Sequence, residues 1–334
     1  MTDTRRALLD RIEADRDRLV RFLQDFTRID TANPPGDTRA GAAFIAAFLD
    51  AAGLSHRRIA PQERMPNLIA STGFPRPGRH LVLNGHIDVF PSGERARWSR
   101  DPLSGEIAGG RVHGLGTVDM KCGTTASIFT YLYLSGLASE LRGRLTLTLV
   151  SDEETGGRWG SGYLVEQHRD LVLGDCVLNG EPSSPHTVRF GEKAMYWMKF
   201  SIRTPGGHSA YPHVSQSANR IAAALVHDLE GLEALAPDVP DKVARALAAP
   251  DVRAGAERGL GAGAAAILQK VTLNVGVMRG GVKVNMLPAS CEIEADARLP
   301  VGVDRGAVRA AVDRIVARYP EVTWEEGASQ RVNA

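Results

Sequence analysis

Apolar residues recur at helical spacing over residues 5–29 (Leu8, Ile12, Leu19, Leu23, Phe26), and Asn33-Pro34-Pro35-Gly36 ends the pattern. One amphipathic helix is predicted there. A second starts from a cap at Asp37 or Thr38 and runs through Phe44, Ile45, Phe48 and Leu49, with Gly53 where a left-handed C-terminal cap belongs. Strand-like and helix-like segments then alternate: short apolar runs at 80–84, 145–150 and 176–178, with helical spacing over 125–134 and 161–168. This alternation predicts an α/β fold built on a mainly parallel sheet with helices on both faces.

The texture changes from residue 189 onward. Residues 195–202 alternate like a half-buried strand, 217–232 are helical, and 271–278 and 284–297 read as two strands joined through Gly280-Gly281. A helix over 304–319 and a strand over 322–325 complete a βαββαβ order, the sequence of a ferredoxin-like two-layer sandwich. Residues 233–264, rich in Ala, Gly and Pro, read as a partly helical insertion. The expected division is a first domain at 1–188 and a second at 189–330.

The chain has 334 residues, 43% hydrophobic and 24% charged, ordinary for a soluble protein burying one or two cores. A formal net charge of +1 provides no field for nucleic acid or an anionic membrane, so neither is expected as a partner. No apolar run reaches about 18 residues, and residues 2–21 mix charge with Leu and Ile rather than forming a signal-peptide core. A cytoplasmic location is expected. Cys122, Cys176 and Cys291 are far apart and odd in number, which predicts reduced thiols rather than a disulfide framework or a thiolate zinc site.

The candidate chemistry lies at predicted strand ends. His86 and Asp88 stand two apart, so extended backbone points them to one side, as a metal-binding imidazole and its orienting carboxylate or as a structural pair. Asp119 reads as a ligand or as the N-cap of the following helix. Glu153-Glu154 places adjacent carboxylates before Gly156-Gly157, either as an acidic turn or as a metal ligand beside a general base. Glu181 follows a buried strand and precedes Pro182, as a ligand or a loop cap. Imidazole plus carboxylates suits zinc, with manganese or cobalt as alternatives, and a carboxylate between two cations describes a two-metal hydrolytic site.

The segments NGHIDVF, WSRDPLSGEIAGGRVHGLGTVDMKCG, SDEETGG, NGEPSS, GGHSAYPH and VNMLPASCEIEADARLP together resemble the M20 metallopeptidase family, which includes deacylases and desuccinylases of amino acids. The resemblance implies a catalytic domain carrying an inserted lid that also forms a homodimer, and hydrolysis of an amide in an N-acyl amino acid or small peptide-like substrate bearing a carboxylate. It implies His86, Asp119, Glu154 and Glu181 as ligands of two divalent ions, with Asp119 bridging, Asp88 orienting His86 and Glu153 as general base. It implies a cis peptide between Asp119 and Met120. From the lid it implies His208 as the oxyanion donor, Arg298 as the grip on the substrate carboxylate and Asn285 as a further substrate contact.

Two positions depart from the family: Leu115 stands in GLG where arginine is usual, and Cys122 in DMKCG where glycine is usual. Nearness to Asp119 makes Cys122 a candidate redox-sensitive position. The family's sheet resumes after the lid and delivers a last histidine ligand, whereas no histidine follows His227 here. The expectation is an incomplete version of a longer chain; the alternative is a metal-poor, non-catalytic paralogue acting as a binding or dimerisation partner.

Overall fold

The computed structural model of the chain describes residues 3–184 and 187–327. It divides into two compact units between Pro182 and Ser183.

In the first unit, helices α1 (Asp3–Ala14), α2 (Arg16–Thr27) and α3 (Arg39–Ala51) precede strands β1 (His56–Ile59), β2 (Asn67–Gly73) and β3 (Arg76–His86). A hairpin of β4 (Glu106–Ala108) and β5 (Arg111–His113) follows, then α4 (Cys122–Ser135), β6 (Arg142–Val150), α5 (Ser161–Gln167), α6 (Arg169–Val172) and β7 (Cys176–Asn179). The single opening helix expected from periodicity is two. It breaks at Asp15 (φ −89°, ψ 7°), whose carboxylate accepts the Tyr133 hydroxyl at 3.0 Å. Gly53 closes α3 as expected: it takes φ 68°, donates to Asp50 O at 2.9 Å, and lets Leu54 N reach Leu49 O at 2.9 Å.

The sheet runs β1-β2-β6-β3-β7 and is mixed rather than mainly parallel. β3 lies parallel to β6 and β7, while β6–β2 and β2–β1 are antiparallel. The reason is connection length: residues 60–66 between β1 and β2 cannot make the crossover of about a dozen residues that a parallel pair needs. Only residues 74–75 separate β2 from β3, which turn back as a wide hairpin around β6. Helices cover both faces. Leu68, Ala70, Leu145, Leu147 and Leu149 pack with Phe26, Ile45, Leu49 and Phe129 of α2, α3 and α4, and the alternate positions Ile69 and Val150 pack with Leu164 and Val172 of α5 and α6.

The second unit contains β8 (Ala194–Arg203), β9 (Gly207–His208), α7 (Ala218–Leu229), α8 (Asp241–Ala248), α9 (Pro250–Leu260), α10 (Ala264–Ile267), β10 (Thr272–Gly280), β11 (Met286–Leu287), β12 (Ser290–Leu299), α11 (Arg305–Val316) and β13 (Val322–Glu326). Its main sheet is antiparallel, in the order β10-β12-β8-β13. Leaving aside the β9–β11 ribbon and helices α8 to α10, the chain order is βαββαβ. One sheet face is dry: Tyr196, Met198, Phe200 and Ile202 of β8 and Ile293, Ala295 and Ala297 of β12 bury against Ile221, Leu225, Val308 and Val312 of α7 and α11. β12 starts later than periodicity suggests because Pro288 has no N–H for the ladder; its carbonyl instead accepts from Ala218 N at 2.9 Å and Thr204 Oγ1 at 3.0 Å. Among the described residues no helix is long and apolar enough to cross a membrane.

Candidate metal centre

Three neighbouring strands end at one place in the first unit. β3 delivers His86, fully buried, and the chain bends at Ile87, whose N–H donates to Val150 O at 2.7 Å, before reaching the buried Asp88. β6 ends at Val150 and leads through Ser151 and Asp152 into a one-turn 3-10 segment, Glu153–Thr155. This turn closes with Gly156 and Gly157 at φ 104° and 68°, where Gly157 N reaches Asp152 O at 2.8 Å. β7 ends at Asn179, whose side-chain oxygen accepts Glu181 N at 2.7 Å. Asp119 arrives from the loop before α4 with a cis peptide to Met120, as expected. It is not the cap of α4, because the capping position is Lys121.

The sequence-predicted cluster is assembled. His86 Nε2 lies 3.2 Å from Asp119 Oδ1, 3.2 Å from Glu181 Oε1 and 3.9 Å from Glu153 Oε2. One donor atom each from His86, Asp119 and Glu181 come within 4.8 Å of one another, and so do those of His86, Glu153 and Glu154. The second set groups Glu154 with Glu153 and His86 rather than with Asp119.

Asp88 serves this site differently from a simple imidazole orienter. His86 Nδ1 is 2.7 Å from the main-chain carbonyl of Asp88 and 3.6 Å from its carboxylate. The carboxylate accepts main-chain N–H groups of Glu153 at 3.3 Å and Glu154 at 3.1 Å, and the Asn33 side-chain amide at 2.9 Å. Asp88 therefore holds the Glu153–Thr155 turn, and its own backbone holds the imidazole.

A carbonyl only accepts, so Nδ1 carries a proton and Nε2 faces the carboxylates. Burial alone would lower the His86 pKa, but hydrogen bonds to Asp119 and Glu181 and the nearby negative charge push it up to about 11. Asp119 is lowered, first by its hydrogen bond to His86. Glu153 is raised by burial, and burial pushes Glu154 up to about 8, with Oε1 buried and unpartnered. Such a site attracts positive charge at Nε2 and among the carboxylates. A divalent cation replacing the imidazolium proton fits one nitrogen and several carboxylate oxygens, the donor set of zinc, manganese or cobalt.

Residues 82–330 match the profile of Peptidase family M20/M25/M40, a stretch that includes His86, Asp119, Glu153, Glu154 and Glu181. The chain belongs to that family. This M20 protein is 30% identical over 223 residues to succinyl-diaminopimelate desuccinylase of Cereibacter sphaeroides, a match covering 63% of this chain and 57% of that one. It thus spans a little over half the length of that curated relative. The same fold is found in Sso-CP2, an M20 family metallo-carboxypeptidase from Sulfolobus solfataricus (TM-score 0.73, 17% identity, covering 92% of this chain and 77% of that one). It is also found in YXEP of Bacillus subtilis, described as a dinuclear metal binding peptidase from the M20 family (TM-score 0.58, 15% identity, covering 94% and 74%).

The M20 site includes residues that motif reading passed over. Asn33 Nδ2 bridges the Asp88 carboxylate and Thr155 Oγ1, at 2.9 and 3.0 Å. Gly123 and Gly180 bring the loops carrying Asp119 and Glu181 backbone to backbone: a Cβ on Gly180 would stand 2.8 Å from the Gly123 carbonyl. The Asn-Pro-Pro-Gly breaker and the two glycines beside motif residues were the available signals. At Cys122, desolvation raises the thiol pKa, the opposite of a reactive thiolate.

The remaining predicted residues belong to the second unit. His208 sits exposed on β9 opposite Met286, its Nδ1 accepting Ala210 N at 3.1 Å, and Asn285 is next to it through Ser209 N donating to Asn285 O at 3.1 Å. Arg298 lies on β12 and donates from Nε to Asp296 Oδ2 at 2.8 Å.

Proposed function

We propose that this chain carries the centre of a metal-dependent hydrolase that cleaves the amide bond of an N-acyl amino acid or small peptide-like substrate bearing a carboxylate. The observation that supports this most directly is His86, its Nδ1 committed to the Asp88 carbonyl and its Nε2 turned to Asp119, Glu181 and Glu153. In this reading His86, Asp119, Glu154 and Glu181 would hold two divalent ions, zinc first. Such ions would supply the acidity that activates a water and polarises the scissile carbonyl.

Glu153 does the proton transfer. Its carboxylate, whose pKa burial raises above the ordinary value, accepts the proton of the attacking water as the C–O bond forms and gives it to the amide nitrogen as the C–N bond breaks. A carboxylate and a free amine result. His208 donates to the oxyanion, Arg298 binds the substrate carboxylate with Asn285 beside it, and the second unit is the lid through which two copies pair. The desuccinylase relative and the dinuclear M20 peptidase agree with this assignment of chemistry.

The test is a screen of acetyl, succinyl, aromatic and aminoacyl amides of amino acids with Zn, Mn and Co added separately, beside metal analysis of the protein. Glu153→Ala should lower turnover on the order of 10²- to 10⁴-fold while the ions stay bound. A near-normal rate for Glu153→Ala, or a wild-type chain that takes up no divalent ion, rejects the reading.

A further inference from the structure

Lys121 is a charged side chain of the motif region with no place in this chemistry, and it is completely buried. Burying an ammonium is costly unless it is well met by acceptors or counter-charge. Here it donates to the main-chain carbonyls of Phe26 at 2.9 Å and Ile29 at 2.8 Å and stands 4.7 Å from the centre of the Phe26 ring. Phe26 lies in the last turn of α2, where the helix carries negative partial charge, and Ile29 lies two residues past its end. The same residue is pinned through its backbone: its N–H donates to Gly116 O at 2.8 Å, and its carbonyl accepts Thr125 Oγ1 at 2.7 Å. Between Asp119 and Lys121, buried Met120 takes the N–H of His86 on its sulfur at 3.2 Å.

We propose that Lys121 is a positioning residue of the metal centre: its buried amine, donating to the carbonyls of Phe26 and Ile29, fastens the Asp119 loop to the end of α2, and so fixes the Asp119 carboxylate beside His86. The inference rests on the metal-binding reading above. A hydrophobic residue would fill the same space, but would leave the loop attached on the β3 side only. Residues that orient ligands from outside the coordination shell typically contribute about 10- to 100-fold in metal affinity.

Calorimetric titration of the metal-free chain with zinc alone tests this, on wild type, Lys121→Met and Leu49→Ala. Leu49→Ala weakens the same core from a helix that carries no site residue, and so controls for stability. The expected result is at least about tenfold weaker zinc binding by Lys121→Met, with Leu49→Ala close to wild type, all measured well below their melting temperatures. Lys121→Met binding zinc within about twofold of Leu49→Ala overturns the inference while leaving the centre itself intact. A wild type that binds no zinc overturns the metal reading instead. Should Lys121→Met fail to fold, Lys121→Gln, which keeps a donor but loses charge and reach, takes its place: weaker zinc binding supports the role and wild-type binding overturns it.

Discussion

Replacing Asp88 by asparagine tests whether its carboxylate organises the Glu153–Thr155 turn. In the native protein that carboxylate accepts three hydrogen bonds at 2.9–3.3 Å, two from main-chain N–H groups and one from Asn33. Bonds to a charged acceptor contribute about 1.5–3 kcal/mol each, and neutral ones about 0.5–1.5. The substituted side chain has a single carbonyl oxygen, so its amide nitrogen must face an N–H or turn away, which forfeits one bond and weakens the others. Loss of the Asp88 charge relieves repulsion with Glu153 and Glu154, a minor cause of their raised pKa values beside burial, and so offsets only part of the loss. A net cost of about 3 kcal/mol lowers the melting midpoint by roughly 6–12 °C for a unit of this size. The assay is thermal unfolding of the chelated, metal-free protein followed by circular dichroism. His86 should keep its carbonyl hydrogen bond, because that acceptor is the backbone of residue 88. A midpoint within about 2 °C of wild type refutes the reasoning.

Two further outcomes follow from the same geometry. Gly123→Ala drives a methyl into the Gly180 carbonyl, so it should cost about 1–3 kcal/mol and separate the Asp119 and Glu181 loops; unchanged melting and zinc affinity would contradict the close approach. Folding raises His86 from 6.5 to about 11 and Glu154 from 4.5 to about 8, so the metal-free folded state holds protons that the unfolded chain has released. That stabilisation is complete below the unfolded values and is lost as pH rises, between 4.5 and about 8 for Glu154 and between 6.5 and about 11 for His86. Burial lowers Lys121 from 10.5 to about 7, so between those values the folded state has given up a proton that the unfolded chain keeps, a gain with rising pH that offsets the His86 loss. With chelator, the melting midpoint should therefore fall from about pH 6 to about pH 8 and level off above it, and saturating zinc, which competes with the protons of His86 and Glu154, should stabilise more at the alkaline end. A midpoint that rises across this window with chelator contradicts the assigned shifts.

The cluster was legible because each of its residues follows a segment with a plain signal. The apolar runs at 80–84 and 145–150 lie in the buried stretches of β3 and β6; the run at 176–178 does form β7, but as an exposed strand at the sheet edge rather than a buried one, and His86, Glu153 and Glu181 lie just past the three. β1 and β2 were not legible: His-Arg-Arg-Ile carries no apolar run, and Asn67–Gly73 loses its pattern after Ala70 where the strand becomes exposed. The sheet was consequently expected to be more parallel than it is. Side-chain identities also could not tell that Asp88 would use its carboxylate on the amides of Glu153 and Glu154, since main-chain donors are the same at every residue. Nothing local announces that Lys121 is buried, because the carbonyls that meet it, those of Phe26 and Ile29, lie more than 90 residues away.

The members of the candidate centre come from four separate stretches of chain: residues 86–88, 119, 153–154 and 181 meet only after β7 has joined β3 alongside β6. Contacts of such long sequence separation form late, since loop closure must precede any reward from them. A partly folded chain can offer an incoming ion only local pairs such as Glu153-Glu154, not the assembled donor set. Binding is therefore confined to the finished sheet, and free zinc should raise stability by mass action and chiefly slow unfolding rather than hasten folding. For a cell this makes metal supply a determinant of how long each copy lasts, separate from how fast it turns over substrate.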